Sequence, residues 1–246
     1  MVSNDKFTTM ELFAGAGGGI IASKILGHEP IVAVEQDAYC CQVLRERVAD
    51  GCFKNMYVWE GDIRLFNTSK WVGRISCINA GFPCQPFSVA GKRAGEDDER
   101  NMWPATIEVI RRIRPPFAFL ENVPGLLSSG YFGKIIGDLS ESGYDCIWKV
   151  LSAAEVGAPH KRDRLWILAY SNSTQCERRS ISSRIYPEHN NTSSPGWWQT
   201  ESRVGRVSNG MANRVDRLKA IGNGQVPLQA ATAFSILWQM MEETKC

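Results

Sequence analysis

Several features that mark other classes of protein are missing from this sequence of 246 residues. No apolar run approaches the roughly 20 residues that a transmembrane helix needs, and the first residues lack the apolar stretch of a signal peptide. The eight cysteines contain no C-x-x-C pair, so no metal site and no dithiol redox motif is predicted. No internal repeat is found. We therefore expect a cytoplasmic protein with no membrane contact.

What is present is typical of a globular α/β protein. Hydrophobic residues make up 43% of the chain and charged residues 22%. Short apolar runs, which we predict to be strands, lie at 8–13, 30–35, 75–80, 117–121, 145–150 and 165–170. Segments with helical spacing lie between them, for example at 38–48 and 103–113. This alternation predicts a doubly wound, mostly parallel α/β sheet with helices on both faces.

The composition changes after Tyr170. The following stretch is rich in Ser, Asn, Thr and Arg. From Ser171 to Lys219 it contains eight basic residues and four acidic residues. Local positive charge suits contact with nucleic-acid phosphates. We predict a catalytic domain over 1–170, a small irregular recognition region over 171–216 and a C-terminal segment over 217–246 that returns to the first domain. That last segment contains an apolar helix, predicted over 228–241.

A glycine-rich turn follows the first predicted strand. Its glycines permit a tight turn and a close approach of the backbone to a ligand. The turn has G-x-G but not the full G-x-G-x-x-G pattern of dinucleotide-binding proteins, so by itself it is a weak signal. Glu35 ends the second strand about 20 residues later, where a carboxylate can accept both hydroxyls of a ribose. Asp62 can accept a hydrogen bond from an adenine amino group. These residues predict a nucleoside site; the alternative is a helix-opening turn beside two solvated carboxylates.

One cysteine has unusual neighbours. Pro83 and Pro86 flank Cys84 and Gln85, so the backbone is stiff and can continue neither a helix nor a strand. The block follows the strand predicted at 75–80, which places the thiol at the ligand-binding end of the sheet. Cys84 is a candidate nucleophile because even a small thiolate fraction is strongly nucleophilic. The alternative is an ordinary buried thiol.

Five motifs in order resemble those of the DNA (cytosine-5) methyltransferases. They are F-A-G-A-G-G-G at 13–19, G-F-P-C-Q-P-F-S at 81–88, E-N-V at 121–123, H-K-R-D-R-L-W at 160–166 and I-G-N-G-Q-V-P at 221–227. The resemblance covers residues 10–170 and 217–233. It implies a Rossmann-like methyltransferase fold, S-adenosylmethionine as cofactor, and methyl transfer to C5 of a flipped cytosine through a Cys84 adduct at C6. His160 departs from the glutamine usual in the family.

The resemblance also implies the functional residues. Glu121 corresponds to the glutamate that binds cytosine at N3, and the two arginines, which alternate along a segment expected to be extended, contact the base and the DNA backbone. The expected catalytic set is Cys84, Gln85, Glu121, Arg162 and Arg164. The expected cofactor-binding set is Phe13, Ala14, Gly15, Gly17, Gly18, Glu35, Gln36, Asp62, Ile63, Pro83 and Asn223.

Double-stranded DNA is the expected partner and a monomer the expected state, as in a restriction-modification or phage enzyme. Three alternatives remain open. The same chemistry can act on cytosine in RNA, since a base in a loop needs less distortion. A nicotinamide-dependent oxidoreductase would use the glycine turn and Glu35 but leaves Cys84 unexplained. A non-catalytic DNA-binding protein can keep the fold.

Overall fold

The computed structural model describes residues 6–83, 101–172 and 224–244, together with Asp216. Its strands are β1 (Thr8–Leu12), β2 (Glu29–Glu35), β3 (Tyr57–Glu60), β4 (Cys77–Ala80), β5 (Phe117–Asn122), β6 (Tyr144–Leu151) and β7 (Arg164–Ser171). Its α-helices are α1 (Gly18–Ile25), α2 (Ala38–Ala49), α3 (Trp103–Ile113), α4 (Tyr131–Glu141) and α5 (Pro227–Thr244).

The strands form one sheet in the order β3-β2-β1-β4-β5-β7-β6. β1 to β5 pair in parallel, whereas β7 lies antiparallel between β5 and β6. Parallel neighbours need a long crossover, and the segment between β6 and β7 holds only one short 3-10 turn, so an antiparallel pair forms there. The predicted doubly wound, mostly parallel fold is confirmed.

Six of the seven strands coincide with predicted apolar runs, with ends that differ by one or two residues. β3 is not among the apolar runs, although Asp62, just after it, was expected to end a candidate element. It lies at the sheet edge, and Tyr57 and Glu60 at its ends are exposed. It therefore lacks the continuous apolar run by which a buried parallel strand is recognised.

Side chains alternate across the sheet and fill a core on each face. In β5, Ala118 and Leu120 join the core under α3 and α4, whereas Phe117 and Phe119 join the core under α5. β7 alternates in the same way. Both faces are thus apolar, which explains why these strands read as unbroken hydrophobic runs.

Helix α5 packs on the sheet, as predicted for the C-terminal segment. Phe234 meets Phe119 edge-on with ring centroids 5.2 Å apart, and Phe119 stacks on Trp166 at the same distance. Gln229, in the first turn of α5, donates to the carbonyls of Leu151 and Arg162, so the beginning of α5 lies at the edge of the sheet where β5 ends and β7 begins. Within the three described stretches, no helix is long and apolar enough to cross a membrane.

Candidate active site

A cavity of about 620 Å³ opens at the carboxyl ends of β1, β2, β4 and β5. Parallel strands bring their ends, and the loops that follow them, to one edge of the sheet. The structure places nine of the predicted site residues in the cavity wall: Phe13, Ala14, Gly15, Glu35, Gln36, Pro83, Glu121, Arg162 and Arg164. Cys84, Gln85 and Asn223 lie outside the described residues, and so does nearly all of the predicted recognition region.

The glycine-rich turn forms one wall of the cavity. Gly15 adopts a φ of 53°, and a Cβ at this residue would meet no atom within 4 Å, so its backbone borders open space. Its N–H donates to Glu35 Oε2 over 2.7 Å. Glu35 Oε1 accepts from the N–H groups of Gln36 and Asp37, each over 2.8 Å. The Glu35 carboxylate therefore holds the turn against the end of β2.

Two glycines of the turn serve packing between elements. A Cβ on Gly17 would lie 3.2 Å from the side chains of Leu44 and Phe53, and one on Gly18 would overlap the backbone oxygen of Gln225. Only glycine leaves room for these neighbours. Neither Gly17 nor Gly18 lies in the cavity wall, so their contact with a ligand stays a prediction.

Asp62 and Ile63 also lie away from the cavity wall. The Asp62 carboxylate accepts from the N–H of Arg64 over 2.9 Å and pairs with the Arg64 guanidinium, and these bonds lower the pKa of Asp62. Ile63 is buried in the core below α3. The contact of Asp62 with adenine and that of Ile63 with the cofactor therefore remain predictions.

Glu121 forms the acidic centre of the opposite wall. Its Oε1 accepts from Arg164 Nε over 2.7 Å, and the two side chains are only 15% and 20% exposed. Burial raises the pKa of Glu121 above its usual value, although Arg164, Arg162 and a hydrogen bond from Gln225 oppose the shift. A carboxyl in this setting is easier to protonate than a solvated glutamate.

The two arginines both reach the cavity, but the segment that carries them is not fully extended. Arg164 begins β7, whereas Arg162 has a φ of 43°, in the left-handed region. Arg162 Nη2 donates to the carbonyl of Gly224 over 2.7 Å. Gln229 of α5 donates to the carbonyl of Arg162 over 2.9 Å. The prediction of an extended segment is therefore wrong at Arg162, because its backbone turns towards α5.

The chain that enters Cys84 is fixed from two directions. Asn122 Nδ2 donates to the carbonyl of Phe82 over 3.0 Å, and the N–H of Met102 donates to the carbonyl of Pro83 over 3.4 Å. Pro83 itself lines the cavity. Pro83 is therefore held in the wall of the cavity.

Sequence reasoning missed Glu11, which lies within β1 and borders the cavity. Its Oε1 accepts from Thr9, Ser23 and Asn79, each over 2.8 Å, and burial raises the pKa of Glu11. A glutamate inside an apolar strand is the signal that points to it. Gln225 was also missed as a site residue, because its role depends on contacts between distant segments.

Comparison with known proteins agrees with this architecture. The DNMT2 methyltransferase of Schizosaccharomyces pombe superposes with a TM-score of 0.56 at 20% identity, over 68% of this chain and 51% of that one. A mutant of the Spodoptera frugiperda DNMT2 gives a TM-score of 0.57 at 24% identity, over 69% and 51% of the two chains. At these identities the match shows a shared methyltransferase fold.

Sequence comparison identifies the family. Type II methyltransferase M.NgoMIV of Neisseria gonorrhoeae is 36% identical over 170 residues, which cover 68% of this chain and 53% of M.NgoMIV. M.HpaII of Haemophilus parainfluenzae is 35% identical over 75% of this chain and 50% of its own length. The chain thus spans about half the length of these relatives. The family profile "C-5 cytosine-specific DNA methylase" matches residues 7–243, and the chain belongs to that family.

Proposed function

We propose that this chain transfers a methyl group from S-adenosylmethionine to C5 of cytosine in double-stranded DNA. The observation that carries the proposal is a single cavity in which a glycine-rich turn faces a buried Glu121–Arg164 pair, with Pro83, the residue before Cys84, in the wall between them. The half of the cavity lined by the glycine-rich turn suits a nucleoside, and the half lined by Glu121 and Arg164 suits a polar heterocycle. A monomer is the state that we propose.

The first half of the cavity has the donors and acceptors that a nucleoside cofactor needs. The volume of about 620 Å³ lies within the usual range for small-molecule sites. Phe13 supplies an aromatic face, Gly15 an open backbone and Glu35 a carboxylate beside the turn. We assign the remaining cofactor contacts to Ala14, Gln36 and Pro83 in the wall. The other residues that we assign to the cofactor are Gly17, Gly18, Asp62, Ile63 and Asn223.

When bound, S-adenosylmethionine supplies an electrophilic methyl group on a positively charged sulfur. Carbon 5 of cytosine is a poor nucleophile, so the chain must first activate the ring. The Cys84 thiolate would add to C6, forming an S–C6 bond, and C5 would become electron-rich and take the methyl group as the sulfonium S–CH3 bond breaks and leaves a neutral thioether. Loss of the C5 proton to a base and cleavage of the S–C6 bond then release the methylated cytosine and the thiolate.

Glu121 assists this addition at N3 of the cytosine. A protonated carboxyl donates a hydrogen bond to N3, where negative charge develops as the sulfur adds to the ring. The raised pKa of Glu121 supports this role, since burial favours the neutral carboxyl. Arg164, bonded to Oε1, holds the carboxyl in place, and Arg162 borders the same half of the cavity. Gln85 follows the nucleophile directly and completes the expected catalytic set.

DNA binding requires that the target base leave the helix, because a paired ring cannot be attacked from its face. Extrusion costs a few kcal/mol in lost stacking and pairing. The basic region after Ser171 is the segment we assign to phosphate and base contacts, with eight basic residues up to Lys219. The relatives named above are type II methyltransferases, which favours a restriction-modification setting.

The test incubates the protein with methyl-labelled S-adenosylmethionine and mixed-sequence DNA, and maps 5-methylcytosine by bisulfite sequencing. We expect modification within a short motif, and none with Cys84→Ser. A parallel reaction with structured RNA separates the RNA alternative. Label in DNA undiminished by Cys84→Ser would refute the covalent route, and DNA binding without any label would support a non-catalytic protein. Binding of a nicotinamide dinucleotide in place of S-adenosylmethionine would indicate the oxidoreductase.

A further inference from the structure

The side chain of Gln225 lies between the two halves of the cavity. Its Oε1 approaches the glycine-rich turn: a Cβ on Gly19 would lie 2.9 Å from Gln225 Oε1 and 3.1 Å from Glu11 Oε2. Its Nε2 faces the other half: a Cβ on Gly81 would lie 3.1 Å from Gln225 Nε2 and 2.8 Å from Glu121 Oε2. The two ends of one amide thus reach the turn and the Glu121 carboxyl.

The amide lies beside Glu121, since Gln225 Nε2 and Glu121 Oε2 both border the position that a Cβ on Gly81 would take. The Gln225 side chain also lowers the Glu121 pKa, as an N–H group directed at a carboxylate does. Arg164 Nε occupies Oε1 of the same carboxylate. Glu121 is therefore held by a charged donor from β7 and by a neutral donor from the segment before α5.

The backbone of Gln225 is held as firmly as its side chain. Gly18 packs against it so closely that a Cβ there would overlap the Gln225 oxygen and lie 3.1 Å from its nitrogen. The preceding carbonyl, that of Gly224, accepts from Arg162 Nη2. Two residues later α5 begins, and its buried Gln229 donates to the carbonyls of Leu151 and Arg162 over 2.8 and 2.9 Å.

We propose that Gln225 is a positioning residue, which fixes the carboxyl of Glu121 and ties it to the glycine-rich turn. The inference rests on the function proposed above, because it concerns how the acid that binds cytosine is placed. Its consequence is that one side chain, carried by the start of α5, sets the geometry of the base-binding half against the cofactor-binding half.

The predicted effect follows from the chemistry of the bond. A donor to a carboxylate stabilises the charged form, so its removal raises the pKa of the acid. We expect Gln225→Leu, which keeps the volume and loses the donor, to raise the Glu121 pKa.

The experiment titrates the ¹³C-labelled glutamate carboxyls by NMR in the wild type, Gln225→Leu and Gln42→Leu, with the Glu121 signal assigned through Glu121→Gln. Gln42 is a matched control because its amide bonds Glu46 on the exposed face of α2. In parallel, kcat and KM for methyl transfer are measured against pH. We expect kcat of Gln225→Leu to fall about tenfold, and its alkaline limb to move with the NMR titration. Gln42→Leu should match the wild type.

An unchanged Glu121 titration in folded Gln225→Leu would overturn the inference, whatever the activity. A wild type that transfers no methyl group to cytosine would refute the proposed function alone, because the titration still reports whether Gln225 holds the acid. If Gln225→Leu fails to fold, Gln225→Glu replaces it. Two adjacent carboxyls should then titrate in two separated steps, and a single step at the wild-type Glu121 value would overturn the inference.

Discussion

Acid should destabilise this protein through one buried histidine, His28. The residue is 7% exposed, and its Nε2 has no hydrogen-bond partner among the described residues. Its ring lies 4.2 Å from that of Phe7 and 5.1 Å from that of Phe234, centroid to centroid. Burial in this aromatic cluster disfavours the charged imidazolium and lowers the pKa of His28 from 6.5 to about 4.

The sign and size of the effect follow from linkage. Below pH 6.5 the unfolded chain binds a proton at His28 that the folded chain does not bind. The free energy of unfolding therefore decreases as the pH is lowered. The loss begins near pH 6.5, continues to about pH 4 and then levels off. At about 1.4 kcal/mol per pKa unit, the window corresponds to about 3 kcal/mol. Domains of this kind are stable by only about 5–15 kcal/mol.

Urea unfolding at intervals between pH 7.5 and 4 measures this loss, with His28→Phe as the reference. Phenylalanine keeps an aromatic ring and cannot titrate, so the difference between the two proteins isolates His28 from the carboxyl groups. We expect the wild type to lose about 3 kcal/mol relative to His28→Phe across the window. Parallel stability curves for the two proteins between pH 6.5 and 4 would refute the assignment of a neutral, desolvated imidazole.

Three further substitutions test the packing and the glycine-rich turn. Gly18→Ala should weaken S-adenosylmethionine binding by tenfold or more in calorimetry, because the added Cβ would overlap the Gln225 oxygen. Gly133→Ala in α4 is the control, since a Cβ there would meet no atom within 4 Å. It should leave binding unchanged and stabilise the helix by about 0.5–1 kcal/mol. Phe234→Ala should lower the free energy of unfolding by about 3–5 kcal/mol, measured in urea, because the ring is 2% exposed between Phe119 and Trp238. Wild-type cofactor affinity in Gly18→Ala, or a loss below 1 kcal/mol in Phe234→Ala, would contradict the packing described here.

The positions of the central strands and of the cavity could be predicted because each depends on local patterns. Buried strands read as apolar runs, and the turn after β1 favours glycine at Gly15, where φ is 53°. The edge strand β3 could not be predicted, since its exposed side chains lack that run. The left-handed backbone of Arg162 could not be predicted either, because its carbonyl accepts from Gln229 and its side chain donates to Gly224, and both partners are distant in the sequence.

The amino-acid order alone was enough for the fold class and for the family, because periodicity and motif spacing are properties of the linear chain. Which glycine borders the cavity and which packs against protein was decided only in three dimensions: Gly15 borders open space, whereas Gly18 contacts Gln225 from more than 200 residues away. The same holds for the buried Glu121–Arg164 pair and its raised carboxyl pKa. Burial and charge proximity arise from packing between distant segments, and no local pattern in the sequence encodes them.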